Sequence, residues 1–147
     1  PDLHRQVWSS FAGHTQHKKL SEAKLPKATK INNDTETFNK IIDYLNRHIT
    51  SHVTIDLICK DNLIGRSQLQ KLFKEQCNRG IIEYFSILKI EAAKELIRTN
   101  HMNFTQISAH LGYTSIHYFS RQFKKIVGMT PSEYASSAKA IAEGNAN

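Results

Sequence analysis

Two clusters of polar side chains recur at helical spacing, and their types suit hydrogen bonding to the edges of paired bases. In the C-terminal half, Ile116, His117, Ser120, Arg121 and Lys124 follow one another so that the last four share a helix face three and four residues apart. A guanidinium at Arg121 can bond guanine bidentately, His117 can donate to a purine, and Ile116 can meet a thymine methyl. Each good bidentate pair discriminates by ~1–3 kcal/mol. Lys124 and Lys125 lie further along and suit phosphates, which position a protein on a duplex without reading sequence. Earlier in the chain, Arg66, Ser67, Gln70, Lys71 and Lys74 form a corresponding face, with Gln70 placed as an adenine reader. The plainer reading, that these are solvated charges on helix surfaces, is set aside by the internal repeat described below.

Other chemistry finds less support. His14 with His17, and His48 with His52, have spacings that helical metal sites use, yet no third ligand of matching type is near in sequence. No metal site and no cofactor are expected. The two cysteines, Cys59 and Cys77, form no C-x-x-C and suggest neither a disulfide framework nor a zinc site. Cys59 reads as a small packing residue. A reactive thiol serving DNA-coupled catalysis is the weakest alternative, and it requires a low-pKa cysteine. No glycine-rich phosphate loop and no nucleophile in a strained turn occurs, so an enzyme is not expected.

The elements that must position the two clusters are helices. Phe38, Ile41, Ile42, Leu45 and Ile49 mark one apolar stripe, with Asp34 or Thr35 as its expected N-cap. Thr54 caps a short helix from Ile55 to Lys60, and Leu69, Leu72 and Phe73 give a third helix, Arg66 to Cys77, its inner face. A long helix from Ile81 to Asn100 is apolar around much of its circumference and reads as a central connector. Asn103 and Gln106 form a cap and N3 pair before the next short helix, which Gly112 ends. Ser115 caps the helix through Val127, whose inner face is Phe119, Phe123 and Ile126. Thr130-Pro131-Ser132-Glu133 is a capping box with Pro at the first helical position, opening a last helix through about Ala140.

The chain repeats itself. Shifted by fifty positions, Leu69-Gln70-Lys71-Leu72-Phe73-Lys74 falls on Phe119-Ser120-Arg121-Gln122-Phe123-Lys124, and Glu83-Tyr84 on Glu133-Tyr134. Upstream the offset is forty-nine, pairing Leu63 with Gly112 and Ile64 with Tyr113, so the second copy carries one extra turn residue, Thr114. Each copy is a short helix, a tight turn and a longer helix with an apolar inner face, which is a helix-turn-helix. The short helix braces the longer one, whose outer face enters the major groove. The connector would span ~30 Å, close to the ~34 Å between successive major-groove faces, so one chain can reach two grooves.

The bulk properties fit. The chain has 147 residues, 39% of them hydrophobic, and a formal net charge of +7, which favours a polyanionic partner. No apolar stretch approaches the ~20 residues of a membrane span, and no export signal is evident; a cytoplasmic protein is expected. The expected division is an arm or linker over 1–33, with Leu3, Val7, Trp8 and Phe11 at helical spacing, then a domain over 34–140 and a tail over 141–147. Within the domain, the first helix-turn-helix covers about 54–77, the linker helix about 81–100 and the second helix-turn-helix about 104–127. Because residue 1 is Pro, a preceding segment is expected.

On these residues the chain resembles the AraC/XylS family of bacterial transcription regulators, across Thr37 to Ser136. The second unit carries the likeness most specifically: Phe104-Thr105-Gln106-Ile107-Ser108, Leu111-Gly112-Tyr113, Tyr118-Phe119-Ser120-Arg121-Gln122-Phe123-Lys124-Lys125 and Gly128-Met129-Thr130-Pro131-Ser132-Glu133-Tyr134. The resemblance implies an all-α fold of seven helices, two homeodomain-like helix-turn-helix subdomains and a linker helix. It also implies base contacts from Arg66, Ser67, Gln70, Lys71 and from Ile116, His117, Ser120, Arg121, and regulation of transcription. Double-stranded DNA, RNA polymerase and a second copy paired through a missing N-terminal domain are the partners it implies. A protein-interaction module on the same fold is the alternative. The first unit departs from the family pattern: Asn62-Leu63 replaces the usual Leu-Gly, Gly65 stands where a Ser cap is usual, and Cys59 takes a small Ala position. If Leu63 must be left-handed, the strain is ~1–2 kcal/mol.

Overall fold

The computed structural model describes residues 25–99 and 101–145, among which there are seven α-helices and no strand. The helices are α1 (Leu25–Arg47), α2 (Ile55–Asn62), α3 (Arg66–Cys77), α4 (Ile81–Thr99), α5 (Phe104–His110), α6 (Ile116–Val127) and α7 (Pro131–Asn145). The helix expected around Leu3 to Phe11 and the pair His14 and His17 lie outside the described residues.

Two helix ends differ from expectation by five residues or more, while the second helix runs two residues past the expected Lys60, to Asn62, and the described connector runs to Thr99 against an expected Asn100. The first helix begins at Leu25 and not after a cap at Asp34 or Thr35, so residues 25–33 of the expected arm are helical. Ile31 lies two turns before Phe38 on the same face and is half-buried. Once a helix exists, extending it through Asn32 and Asn33 is far easier than starting a new one, since each costs only about 0.5–0.7 kcal/mol relative to Ala. The last helix runs through Asn145, five residues past Ala140 and into the expected tail. Residues 139–144, Ile141 included, are exposed, so packing does not carry this extension; lengthening an existing helix costs far less than nucleating one.

The chain divides into two compact units. The first comprises residues up to His48 and Val53–Phe85; the second comprises Ile49–His52 and Ser86 onward. In the first, α1 and α2 both pack on α3, around buried Phe38, Ile41, Ile42, Leu45, Ile58, Leu69, Leu72 and Phe73. Phe38, Phe73 and Tyr84 form an aromatic trio with centroids 4.8, 5.7 and 6.2 Å apart. In the second, α6 packs on α5 and α7, around Ile90, Ala93, Ile97, Ile107, Leu111, Phe119 and Phe123.

The sequence repeat is also a geometric one. Phe73 meets Tyr84 edge to face at 5.7 Å, and Phe123, fifty positions on, meets Tyr134 edge to face at 5.6 Å. Such a pair adds about 0.5–1.5 kcal/mol beyond the burial of its area. The connector α4 is one continuous helix: Ile81, Tyr84 and Phe85 serve the first core, and Ile90, Ala93 and Ile97 the second. Ile82, one of the residues that make this helix apolar around much of its circumference, is exposed.

Candidate nucleic-acid interface

The second unit holds its outer helix by a chain of local devices. Asn103 Oδ1 accepts from the Gln106 backbone N–H at 2.8 Å while Gln106 Oε1 accepts from the Asn103 N–H at 2.9 Å, so two otherwise orphaned donors are satisfied at the start of α5. At its end Tyr113 N–H donates to Ser108 O at 3.0 Å and Gly112 N–H to Ala109 O at 3.1 Å, a Schellman pattern that needs a left-handed residue. Gly112 supplies it at φ 77°. A Cβ there would also meet Ser51 C and Thr50 O at 3.0 Å. Two turn residues later Ser115 Oγ accepts from Tyr118 N–H at 3.1 Å and starts α6.

A buried lysine fixes the end of that turn. Lys89 is only 7% exposed, and its Nζ donates to Ile49 O and Ser51 O, each at 2.8 Å, and to Leu111 O. Three ammonium hydrogens thus have three carbonyl acceptors, which is what an ion taken from water needs. Burial pushes its pKa down to about 8, and its Nζ lies 5.7 Å from the Tyr113 ring centroid. Sequence reasoning overlooked Lys89 because it lies within an apolar helix. The available signal was a lysine between Leu88 and Ile90, both of which prove buried.

With Phe119 and Phe123 buried, the rest of α6 looks outward. His117, Arg121, Lys124 and Lys125 are exposed, whereas Ile116 and Ser120 are half-buried on the flank. Among the described residues no carboxylate lies within 4 Å of Arg121, Lys124 or Lys125, although Lys124 is near enough to help hold the Glu133 carboxyl below its usual range, after the Thr130 hydrogen bonds. Tyr118, to which the apolar pattern assigns no role, is also exposed on this helix, three residues before Arg121. Its place directly before buried Phe119 was the only available hint.

The first unit has the same plan with different chemistry. Thr54 Oγ1 caps α2 by accepting from Leu57 N–H at 3.2 Å, and Ile64 N–H returns to Cys59 O at 3.1 Å. Leu63 takes the left-handed position at φ 53° and ψ 47°, with 92% of its surface exposed. Gly65 precedes α3 without a side-chain cap. Ser67, Gln70 and Lys74 are exposed on α3. Arg66 and Lys71 are exposed too, but Arg66 pairs with Asp56 of α2 at 3.5 Å and Lys71 with Glu75 at 4.0 Å. Tyr44 O–H donates to Asp61 at 2.6 Å, tying α1 to α2; its pKa is raised to about 12, by burial first and then by Asp61.

One thiol and one imidazole are engaged within the first unit. Cys77 is buried and donates to Phe73 O at 3.2 Å, and burial pushes its thiol up, away from the reactive range. His48 Nδ1 lies 2.8 Å from Tyr44 O and its ring stacks on Tyr44 at 4.1 Å. No helix among the described residues is long and apolar enough to cross a membrane.

Known proteins share this arrangement. Residues 58–137 match the family model described as a helix-turn-helix domain. The F1 operon positive regulatory protein of Yersinia pestis is 35% identical over 99 residues, covering 67% of this chain and 33% of that protein. The xylose operon regulatory protein of Escherichia coli K12 is 33% identical over 91 residues, covering 62% of this chain and 23% of that protein. The chain therefore spans a third or less of the length of these two relatives. A crystal structure of a Chromobacterium violaceum transcriptional regulator, titled as AraC-type DNA-binding domain-containing, superposes with a TM-score of 0.68. It is 20% identical and covers 73% of this chain and 96% of the other, a likeness of fold.

Proposed function

The chain belongs to the AraC/XylS family of helix-turn-helix regulators, and from that premise we propose that it binds double-stranded DNA in a sequence-specific way and regulates transcription. The observation that carries the proposal is α6: a helix capped by Ser115, anchored by Phe119 and Phe123, with His117, Arg121 and Lys124 exposed on the other side. Arg121 and His117 read base edges, with Ile116 and Ser120 contributing from the flank. Lys124, Lys125 and the Tyr118 hydroxyl hold phosphates. In the first unit Gln70 and Lys71 carry the readout, supported by Arg66, Ser67 and Lys74, and the two outer helices enter successive major grooves of one duplex.

No catalytic step is involved. RNA polymerase contact, pairing of chains through residues outside this domain and action in the cytoplasm belong to the same proposal. Its support is the naming of a relative as an operon's positive regulatory protein.

Selection from random duplexes at several salt concentrations tests the reading. An enriched motif is expected, with the logarithm of affinity falling linearly with that of salt at about −0.9 per phosphate contacted. Absence of enrichment together with salt-insensitive binding would refute it.

A further inference from the structure

The two outer helices are equivalent by repeat but not by charge. Residues 55–77 carry Lys60, Arg66, Lys71 and Lys74 together with Asp56, Asp61 and Glu75; residues 104–127 carry Arg121, Lys124 and Lys125 and no acid. At the repeat offsets Asp56 corresponds to Thr105 and Glu75 to Lys125. Both acids face cations of the outer surface: Asp56 lies 3.5 Å from Arg66 and Glu75 4.0 Å from Lys71. Asp34 and Lys30 line the same cleft beside α3 as Lys71 and Glu75.

We infer that Asp56 and Glu75 are specificity-determining counter-charges: they hold Arg66 and Lys71 back from the duplex, so that the first unit engages DNA weakly and only where matching bases draw those two cations away. The inference rests on the DNA-binding reading above. A carboxylate facing a phosphate repels it, and a cation already paired releases fewer counterions on binding, so both acids lower the sequence-independent part of the affinity. An exposed pair is weak by itself, and a specific duplex can displace it. A mismatched duplex offers the first unit no base contact to offset that repulsion. In the second unit Arg121, Lys124 and Lys125 form no ion pair among the described residues, and only Glu133, held in the capping box of α7, is near enough to feel Lys124, so this unit serves as the primary anchor.

The test uses the whole chain, a labelled duplex carrying the selected motif and an unrelated duplex of equal length, read by fluorescence anisotropy across salt and by hydroxyl-radical footprinting. Circular dichroism confirms that each variant is helical. In D56N/E75Q the unrelated duplex should bind about two- to tenfold more tightly at low salt, and the salt slope should steepen by about 1–2. Protection of the segment under the first unit should strengthen. The control E36Q/D43N makes the same change in charge on exposed positions of α1 and should leave slope and footprint as in the wild type. The reciprocal T105D/K125E should weaken protection under the second unit. If D56N/E75Q matches the wild type, or the control matches D56N/E75Q, the inference is overturned while wild-type protection upholds DNA binding. If the wild type protects nothing, the DNA-binding reading itself fails.

Discussion

Leu63 and Gly112 occupy the same place in the two turns, forty-nine positions apart, and both have left-handed backbones, at φ 53° and 77°. The fold demands that conformation at both sites, yet only one has the residue that adopts it without strain. Leu63 is tolerated because its side chain stands in solvent at 92% exposure. Gly112 is irreplaceable for a second reason, the backbone of Thr50 and Ser51 at 3.0 Å from where a Cβ would be.

The two sites should respond oppositely. Leu63→Gly relieves ~1–2 kcal/mol of left-handed strain and gives back ~0.5–1 kcal/mol in chain entropy, so stability should rise by up to about 1.5 kcal/mol. Gly112→Ala should lose at least about 2 kcal/mol, combining the same strain with overpacking against fixed backbone. Urea midpoints measured for both variants decide the matter; a loss in the first or neutrality in the second contradicts the turn geometry.

Lys89→Met leaves the Ile49, Ser51 and Leu111 carbonyls without their shared donor and should cost about 2–4 kcal/mol at neutral pH. Because burial lowers the folded-state pKa of Lys89 to about 8 from 10.5, the unfolded chain binds more proton at this site between those values. Stability from this group therefore rises with pH across about 8 to 10.5. The advantage of wild type over Lys89→Met should widen in that window. Parallel curves of stability against pH for the two proteins would show that the lysine is not desolvated.

Burial of Cys77 predicts that its thiol is slow to label. At mildly alkaline pH a thiol reagent should reach half-buried Cys59 first, and Cys77 only at the rate of local opening. Rapid labelling of Cys77 in the folded chain would contradict its placement and reopen the reactive-thiol alternative.

On the interface, Arg121→Ala should lose ~1–3 kcal/mol on the preferred duplex and relax preference at one base pair. Lys124→Ala should weaken all duplexes alike and reduce the salt slope by about 1. Competition binding with a panel of single-base variants separates the two behaviours. An Arg121→Ala protein with unchanged preferences would remove Arg121 from the readout.

Much of this architecture was legible because its signals are local. Thr54, Asn103, Ser115 and Thr130 cap the helices they precede, and a cap needs only its own next three residues. The repeat alone places Phe73 and Phe123 in equivalent sites. What escaped the sequence was set by tertiary contact. The start of α1 depended on whether Ile31 finds cover, and Lys89 reads as surface charge until Ile49, Ser51 and Leu111 are seen to turn their carbonyls to it. The candidate readers were found by type and face, but the pairs Arg66 with Asp56 and Lys71 with Glu75 were not. Asp56 lies on another helix, and whether Glu75 meets Lys71 depends on side-chain rotamers that spacing does not specify.

Binding to two grooves is decided by where the chain touches a duplex. Hydroxyl-radical footprinting of the wild-type chain on its selected duplex should show two protected segments about one helical turn, roughly 10 base pairs, apart, the stronger one lost in Arg121→Ala. No protected segment, or protection indifferent to both Arg121 and salt, would contradict it.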